Sequence, residues 1–188
     1  ADSSTLALLA GVASAHGEEV SWKANAKYVR DLSALMIAEK LARGKKSFET
    51  AKVPFEKITE ILDGSTPAEL PESAETAVFS DYADFGNLMK RIDRTFRWMK
   101  TNASNEESYK EAAEKVLHEM ALLSVISKAI QEEGYGWRDD EDFIKFAETM
   151  FSSARKMVTA VQTEKFADYD AAFSTLDQMC TQCHMGRR

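Results

Sequence analysis

Proline and glycine are scarce in this chain, with 3 Pro and 8 Gly among 188 residues. So few turn formers do not build an all-β sandwich, and they argue against long disordered tracts. No apolar run approaches the ~18 residues of a membrane-spanning helix. The longest candidates are Leu6 to Ala15 and Met120 to Ile126. A basic excess is also missing. Lys and Arg number 24 against 31 Asp and Glu, a net charge of -7, which disfavours the cationic face a nucleic-acid partner needs. Cysteine is rarer still: two residues cannot frame a disulfide scaffold. What remains, 44% hydrophobic and 29% charged, suffices to bury a core, and helix is the default element.

The N-terminal stretch Leu6-Ala7-Leu8-Leu9-Ala10-Gly11-Val12, followed by Ala13-Ser14-Ala15, has the look of a secretory apolar segment ending at a small-residue cleavage site before His16. No basic stretch precedes it, and Asp2 stands where a positive charge is wanted. A short helix with Leu6, Leu9 and Val12 on one face is the favoured reading. A helix is next expected over 21–43, with Val29, Leu32 and Met36 inward beside Tyr28 and Leu35 and with Gly44 as its stop. Another carries Phe55, Ile58 and Leu62, with Pro54 in its first turn and Gly64 past its end. Pro67 and Pro71 then mark a boundary between an N-terminal helical extension, 1–78, and a second domain, 79–188.

Four amphipathic segments follow. Residues 81–101 place Tyr82, Phe85, Met89, Ile92, Phe96 and Met99 on one seam. Residues 105–133 open with Ser104 and Glu107 as a capping box, turn Tyr109, Val116, Met120, Leu123 and Ile130 inward, and stop at Gly134. Residues 140–163 start at Asp139-Asp140 and carry Phe143, Ala147, Met150, Ala154, Met157 and Val161. The last helix begins near Asp168 and aligns Tyr169, Phe173, Leu176, Cys180 and Cys183, so the cysteines are expected to point into the core. Short connections favour an antiparallel, up-down-up-down four-helix bundle.

Both cysteines stand in Cys180-Thr181-Gln182-Cys183-His184. Two thiols three apart on a helix can each form a thioether to one vinyl group of a haem, while His184 offers its imidazole to the iron. One covalently attached haem c is therefore the expected cofactor. Burial of the macrocycle in a low dielectric would tune its potential. A redox disulfide is the plainer alternative, but that motif usually opens a helix in a βαβ setting, and no strand pattern precedes this one. A zinc site would need His16 or His118 to join the cluster.

The run from Ala172-Phe173 through Cys180-Thr181-Gln182-Cys183-His184-Met185-Gly186-Arg187-Arg188 resembles the C-terminal end of the cytochrome c′ family, including its low-spin members. In that family the final helix of the bundle bears Cys-x-x-Cys-His and an Arg one turn later, which here would be Arg188. The resemblance covers 79–188, just over half the chain, and its specificity lies in the terminal motif. Residues 1–78 have no counterpart in a minimal member, and the connection at 134–139 is shorter than the long loop many members have between their second and third helices. Bundle topology brings the start of the first helix to the end where the fourth closes, so Phe85, Leu88 and Met89 are the candidates opposite His184. Leu88-Met89-Lys90 resembles the family's distal stretch, with Met89 at the distal place. Sulfur ligation would give six-coordinate, low-spin iron suited to electron transfer. A Met89 that only packs, or Leu88 in its place, would leave an open site for NO or CO.

Arg188 is the best placed basic residue for a propionate, ahead of Lys90, Arg91 and Arg94, whose helix face reads as solvated. Trp98, Trp137 and Tyr135 read as covers of core edges. His118 reads as a structural or surface residue, and His16 as a follower of the first helix. No nucleophile–base pairing suggests an enzyme. The expectation is an exported, periplasmic, monohaem c-type cytochrome that passes electrons to a protein partner, without a membrane span and with a homodimer as one possible state. The alternatives are a five-coordinate carrier of NO or CO and the electron-entry domain of a larger redox enzyme.

Overall fold

The computed structural model describes residues 1–17, 20–38 and 43–186, and all regular structure among them is helical. No helix among the described residues is long and apolar enough to cross a membrane. The chain divides into two compact units, Ala1–Leu88 and Met89–Arg188. The division falls ten residues beyond the proline-marked boundary, because α5 (Phe85–Asn102) runs through it without a break.

In the first unit α1 (Asp2–Ala15) packs on α2 (Ala26–Ala38), which packs on α3 (Lys45–Leu62). Ala10, Val29, Leu32, Ile58 and Ile61 form the core, with Leu6, Trp22, Tyr28, Met36 and Leu70 against it. Several expected details differ. Leu6, Leu9 and Val12 are only partly buried, and the covered residues of α1 are Ser4, Thr5, Ala7, Leu8, Ala10 and Gly11. A helix apolar nearly all round gives its pattern no power to choose a face. Gly11 supplies the choice: a Cβ there would lie 2.2 Å from the Tyr82 hydroxyl oxygen, so α1 can approach that ring only at a glycine.

The helix expected from residue 21 starts instead as a 3-10 turn, Lys23–Asn25, before α2. Asn25 is diverted to a tertiary contact, its Nδ2 donating to Thr66 Oγ1 at 3.3 Å. Residues 39–42, the rest of that expected helix, lie outside the described residues. Leu35, Phe55 and Leu62 are exposed, and Pro54 stands mid-helix in α3. The polar run Lys45-Lys46-Ser47 conceals the true start, while only Ile58 and Ile61 of this helix are buried.

Arg30 organises the segment after α3. Only 2% exposed, it donates from Nε and Nη2 to the Asp31 carboxylate at 2.6 and 3.1 Å and from Nη2 to the Ala74 carbonyl at 2.8 Å. Its guanidinium carbon lies 5.3 Å from the Tyr82 ring centre. One buried fork thus fixes an irregular stretch that has no ladder of its own.

The seam expected over 81–101 is interrupted. A short α4 (Phe79–Tyr82) ends at Ala83, whose backbone is extended (φ -129, ψ 91), and α5 starts afresh. Asp84 makes the break: its Oδ1 accepts from the Asn87 amide at 2.8 Å, a helix start that competes with continuation. Tyr82 accordingly belongs to the first unit and not to a seam with Met89.

In the second unit the expected 105–133 helix is two: α6 (Glu106–Glu111) and α7 (Ala113–Ala129), parted at Ala112 (φ -95, ψ 4). The capping box is Asn105 with Ser108, not Ser104 with Glu107; Asn105 Oδ1 accepts from the Ser108 amide at 3.0 Å. An α8 (Glu141–Gln162) starts at Asp140, which accepts from the Phe143 amide at 2.9 Å, and α9 (Phe166–Gly186) begins two residues before Asp168. Helix α7 packs on α8 and α8 on α9. Side chains tie α5 to α9: Phe96 stacks on Phe173 at 5.1 Å and Lys100 pairs with Asp177 at 3.1 Å. Tyr109 and Tyr169, 4.6 Å apart, continue the aromatic row beside Phe173. Helix α8 stops in the same way as α3. Gly64 (φ +87) ends α3, and Glu164 (φ +55) ends α8 with its amide bonded to Val161 O and that of Lys165 to Ala160 O.

Candidate functional site

Helix α9 delivers the motif because Tyr169, Ala172, Leu176 and Met179 are buried at helical spacing and fix its rotation. Cys180 and Cys183, one and four residues past Met179, are consequently half-buried and not core, while His184 is exposed. An apolar cleft of ≈ 50 Å³ opens beside them. Met179, Cys180, Cys183 and His184 line one wall, and Met89 and Ile92 of α5 face them. Phe143, Phe146, Ala147 and Met150 of α8, with Ile130 beyond α7, close the floor. At roughly 30 Å³ of liquid volume per water, the cleft admits one or two.

A second, open groove of ≈ 550 Å³ shares Cys180 and His184 and adds Asp93, Phe96, Asp177, Thr181 and Met185. Its size is that of a cofactor site, for which about 300–1,000 Å³ is usual. The motif therefore borders both a roomy, solvent-facing groove and a small apolar cleft that Met89 also lines.

The expected site residues separate into groups. Cys180, Cys183, His184 and Met89 are brought together from opposite ends of the unit. Phe85 and Leu88, on the first turn of α5, belong to the first unit and line neither space; Leu88 is fully buried. Arg188 lies outside the described residues. His16 and His118 are both exposed and line neither space. Among the described residues no three His, Cys, Asp or Glu side chains converge to hold a metal ion, so the zinc reading lacks its ligand set.

Electrostatics also weigh on the redox reading. Burial, then the Asp177 charge, push the Cys180 thiol up to about 11. Such a group stays protonated near neutrality, whereas disulfide-exchange cysteines have depressed values. A thiol that rests neutral in an apolar wall suits a residue whose sulfur is to become an uncharged thioether.

Sequence reasoning missed the polar clamp on the other face of α5. Arg91, Thr95 and Glu119 are all buried. The Arg91 guanidinium pairs with Glu119 at 2.8 Å and donates to Thr95 Oγ1, which donates to Glu119 at 2.5 Å. Burial alone would raise the Glu119 carboxyl, but the bonds from Thr95 and Arg91 and the guanidinium charge outweigh it and hold the group below its ordinary range. Arg91 is thus committed to α7, not to a solvated face open to a propionate. By holding residues 91 and 95 against α7, the clamp leaves 89, 92 and 96 turned to the motif. A sequence signal existed: Glu119 falls between Val116 and Leu123 on the apolar face of α7.

Trp137 stacks on Phe143 at 5.5 Å and Lys115 lies 4.3 Å from the Trp98 ring centre, placements that cover core edges. No family model, no curated protein and no solved structure matches the chain.

Proposed function

We propose that the second unit is a monohaem c-type electron carrier built as a four-helix bundle of α5, α7, α8 and α9. Packing of α7 on α8 and of α8 on α9, with side-chain contacts from α5 to α7 and to α9, supports that arrangement. The observation that carries the reading is the meeting of Met89 with Cys180, Cys183 and His184 around one apolar cleft. Cys180 and Cys183 would each add sulfur to one carbon of a vinyl group and their proton to the other, leaving two uncharged thioethers. His184 would hold the iron, and Met89, which lines the same cleft, would be the further ligand. Haem bound there supplies a one-electron ferric–ferrous couple. Phe143, Phe146, Ile92 and Ile130 would give the group an apolar wall, which lowers the local dielectric. The open groove at Asp93, Asp177 and Thr181 would leave one edge accessible to a redox partner protein.

The test is the visible spectrum of protein matured with haem. Pigment that survives acidified organic extraction, and that is lost from the doubly substituted Cys180→Ala, Cys183→Ala chain, is expected. A ferrous spectrum unchanged by CO, which becomes CO-sensitive in Met89→Ala, is the expected sign of a closed distal side. Pigment that extracts freely from the parent chain would overturn the covalent reading. An immediate CO shift in the parent would replace electron transfer by the gas-binding alternative.

A further inference from the structure

We propose that the exposed shoulder of α3 is the interface of a two-fold, antiparallel dimer of this chain. Eight large apolar side chains are exposed among the described residues, and four of them, Phe48, Val53, Phe55 and Leu62, lie on this one helix. Phe48, Phe55 and Leu62 are 66%, 58% and 39% exposed and recur every seven residues, so they form one continuous stripe. The opposite side of α3 is already used, with Ile58 and Ile61 buried in the first unit's core. A stripe of this kind on an otherwise charged helix calls for a covering surface.

Charge identifies the occupant. Lys45, Glu49, Lys52, Glu56 and Asp63 fall along the single flank that borders the stripe on its solvent side, with both lysines in the first half of the helix and only carboxylates in the second. A two-fold axis beside Phe55 sets Phe55 on Phe55 of the second copy and Phe48 on its Leu62. The same operation keeps each flank on its own side and reverses its direction, so Lys45 meets Asp63 of the second copy and Lys52 meets its Glu56. The opposed helix dipoles add to the match. A parallel two-fold would instead carry the flank to opposite sides of the seam, so that these charges would not meet. The present partners of these groups do not forbid the exchange: Lys45–Glu49 at 3.6 Å and Lys52–Glu56 at 3.5 Å are exposed pairs within the helix, worth little.

With about 200 Å² per large side chain and only 66%, 58% and 39% of Phe48, Phe55 and Leu62 exposed, the anchors cover roughly 300 Å² per copy, well below the ~800 Å² of a standard interface. Weak, concentration-dependent self-association is the consequence. The inference stands apart from the haem reading, since α3 lies in the other unit.

Sedimentation equilibrium of the full chain, from low micromolar to millimolar concentration, tests it. A monomer–dimer equilibrium is expected, weakened at least tenfold by Phe55→Glu, which places two carboxylates at the axis. Far-UV circular dichroism should stay at the parent value, because Phe55 is exposed. The specific sign of the antiparallel pairing is a charge swap. Lys45→Glu with Lys52→Glu, and separately Glu56→Lys with Asp63→Lys, should each abolish the dimer, and an equimolar mixture of the two variants should restore a heterodimer. A chain that stays monomeric throughout, a dimer indifferent to Phe55→Glu, or a mixture that fails to associate would each overturn the proposal. So would a monomer whose α3 stripe binds vesicles of phosphatidylglycerol and phosphatidylcholine.

Discussion

Each of the two units buries an arginine, and they use it differently. In the first, Arg30 reaches from α2 to the backbone at Ala74 and to Asp31, holding an irregular segment that hydrophobic contact alone would leave loose. In the second, Arg91 joins Thr95 and Glu119 between two regular helices that already pack through apolar seams. A buried guanidinium is thus a substitute for secondary structure in one unit and a fixer of helix rotation in the other. Removing each should have consequences of different size.

The largest effect is expected at Arg30. Arg30→Met would leave the Ala74 carbonyl without its side-chain donor and Asp31 with only the bond from Ser73, and should cost about 3 kcal/mol, the lower end of the range for breaking a buried pair because Asp31 is partly exposed. Calorimetry should show the first unit melting early while the second keeps its parent transition. A single transition displaced as a whole would mean that the units do not melt separately.

Gly11→Ala comes next. Its Cβ would fall 2.2 Å from the Tyr82 oxygen and 2.8 Å from the ring carbon bearing it, and relief of that overlap should cost about 1–3 kcal/mol. Tyr82→Phe should recover part of the loss in denaturant titration, since the hydroxyl is the nearer obstacle.

Glu119→Gln should cost about 1–2 kcal/mol, because the amide retains an acceptor for Arg91 but not the charge. Its dependence on pH is the sharper test. The folded carboxyl sits below its ordinary value, so its contribution is present above the unfolded value near 4.5 and is lost as pH falls through the folded one. The difference in stability between parent and Glu119→Gln should therefore narrow on acidification below about pH 4.5 and stay flat above it. A gap that widened in acid would contradict the clamp.

The smallest effect is chemical. With its thiol raised to about 11, Cys180 in the haem-free folded chain should be alkylated by iodoacetamide more slowly at pH 8 than in the denatured chain, as peptide mapping by mass spectrometry would show.

Helix content and the late apolar seams were legible because long amphipathic periods survive any tertiary context: Phe143, Met150 and Met157 in α8 and Tyr169 and Leu176 in α9 are buried where the period places them. Met89, expected opposite the motif on a bundle topology, does line one cleft with Cys180, Cys183 and His184. The break at Ala83 was not legible, because a short polar side chain, Asp84, decides it, and no side chain in the structure accounts for the break at Ala112. The face of α1 was hidden for a different reason: Ser4, Ala7 and Gly11 are small, and close approach rather than hydrophobicity selects them. Phe55 and Leu62 were read as core from their chemistry, and the structure leaves them on the outside.

One turn shows where this molecule has headroom. At the close of α3 the left-handed position is a glycine, but at the close of α8 it is Glu164, forced to φ +55 just ahead of the helix that carries both cysteines. A residue with a Cβ is strained in that conformation, so Glu164→Gly offers a gain of up to about 1 kcal/mol at a site remote from the motif. The hinge that launches the chemistry-bearing helix is held short of its own optimum, and a single exchange there would toughen the scaffold without touching what it carries.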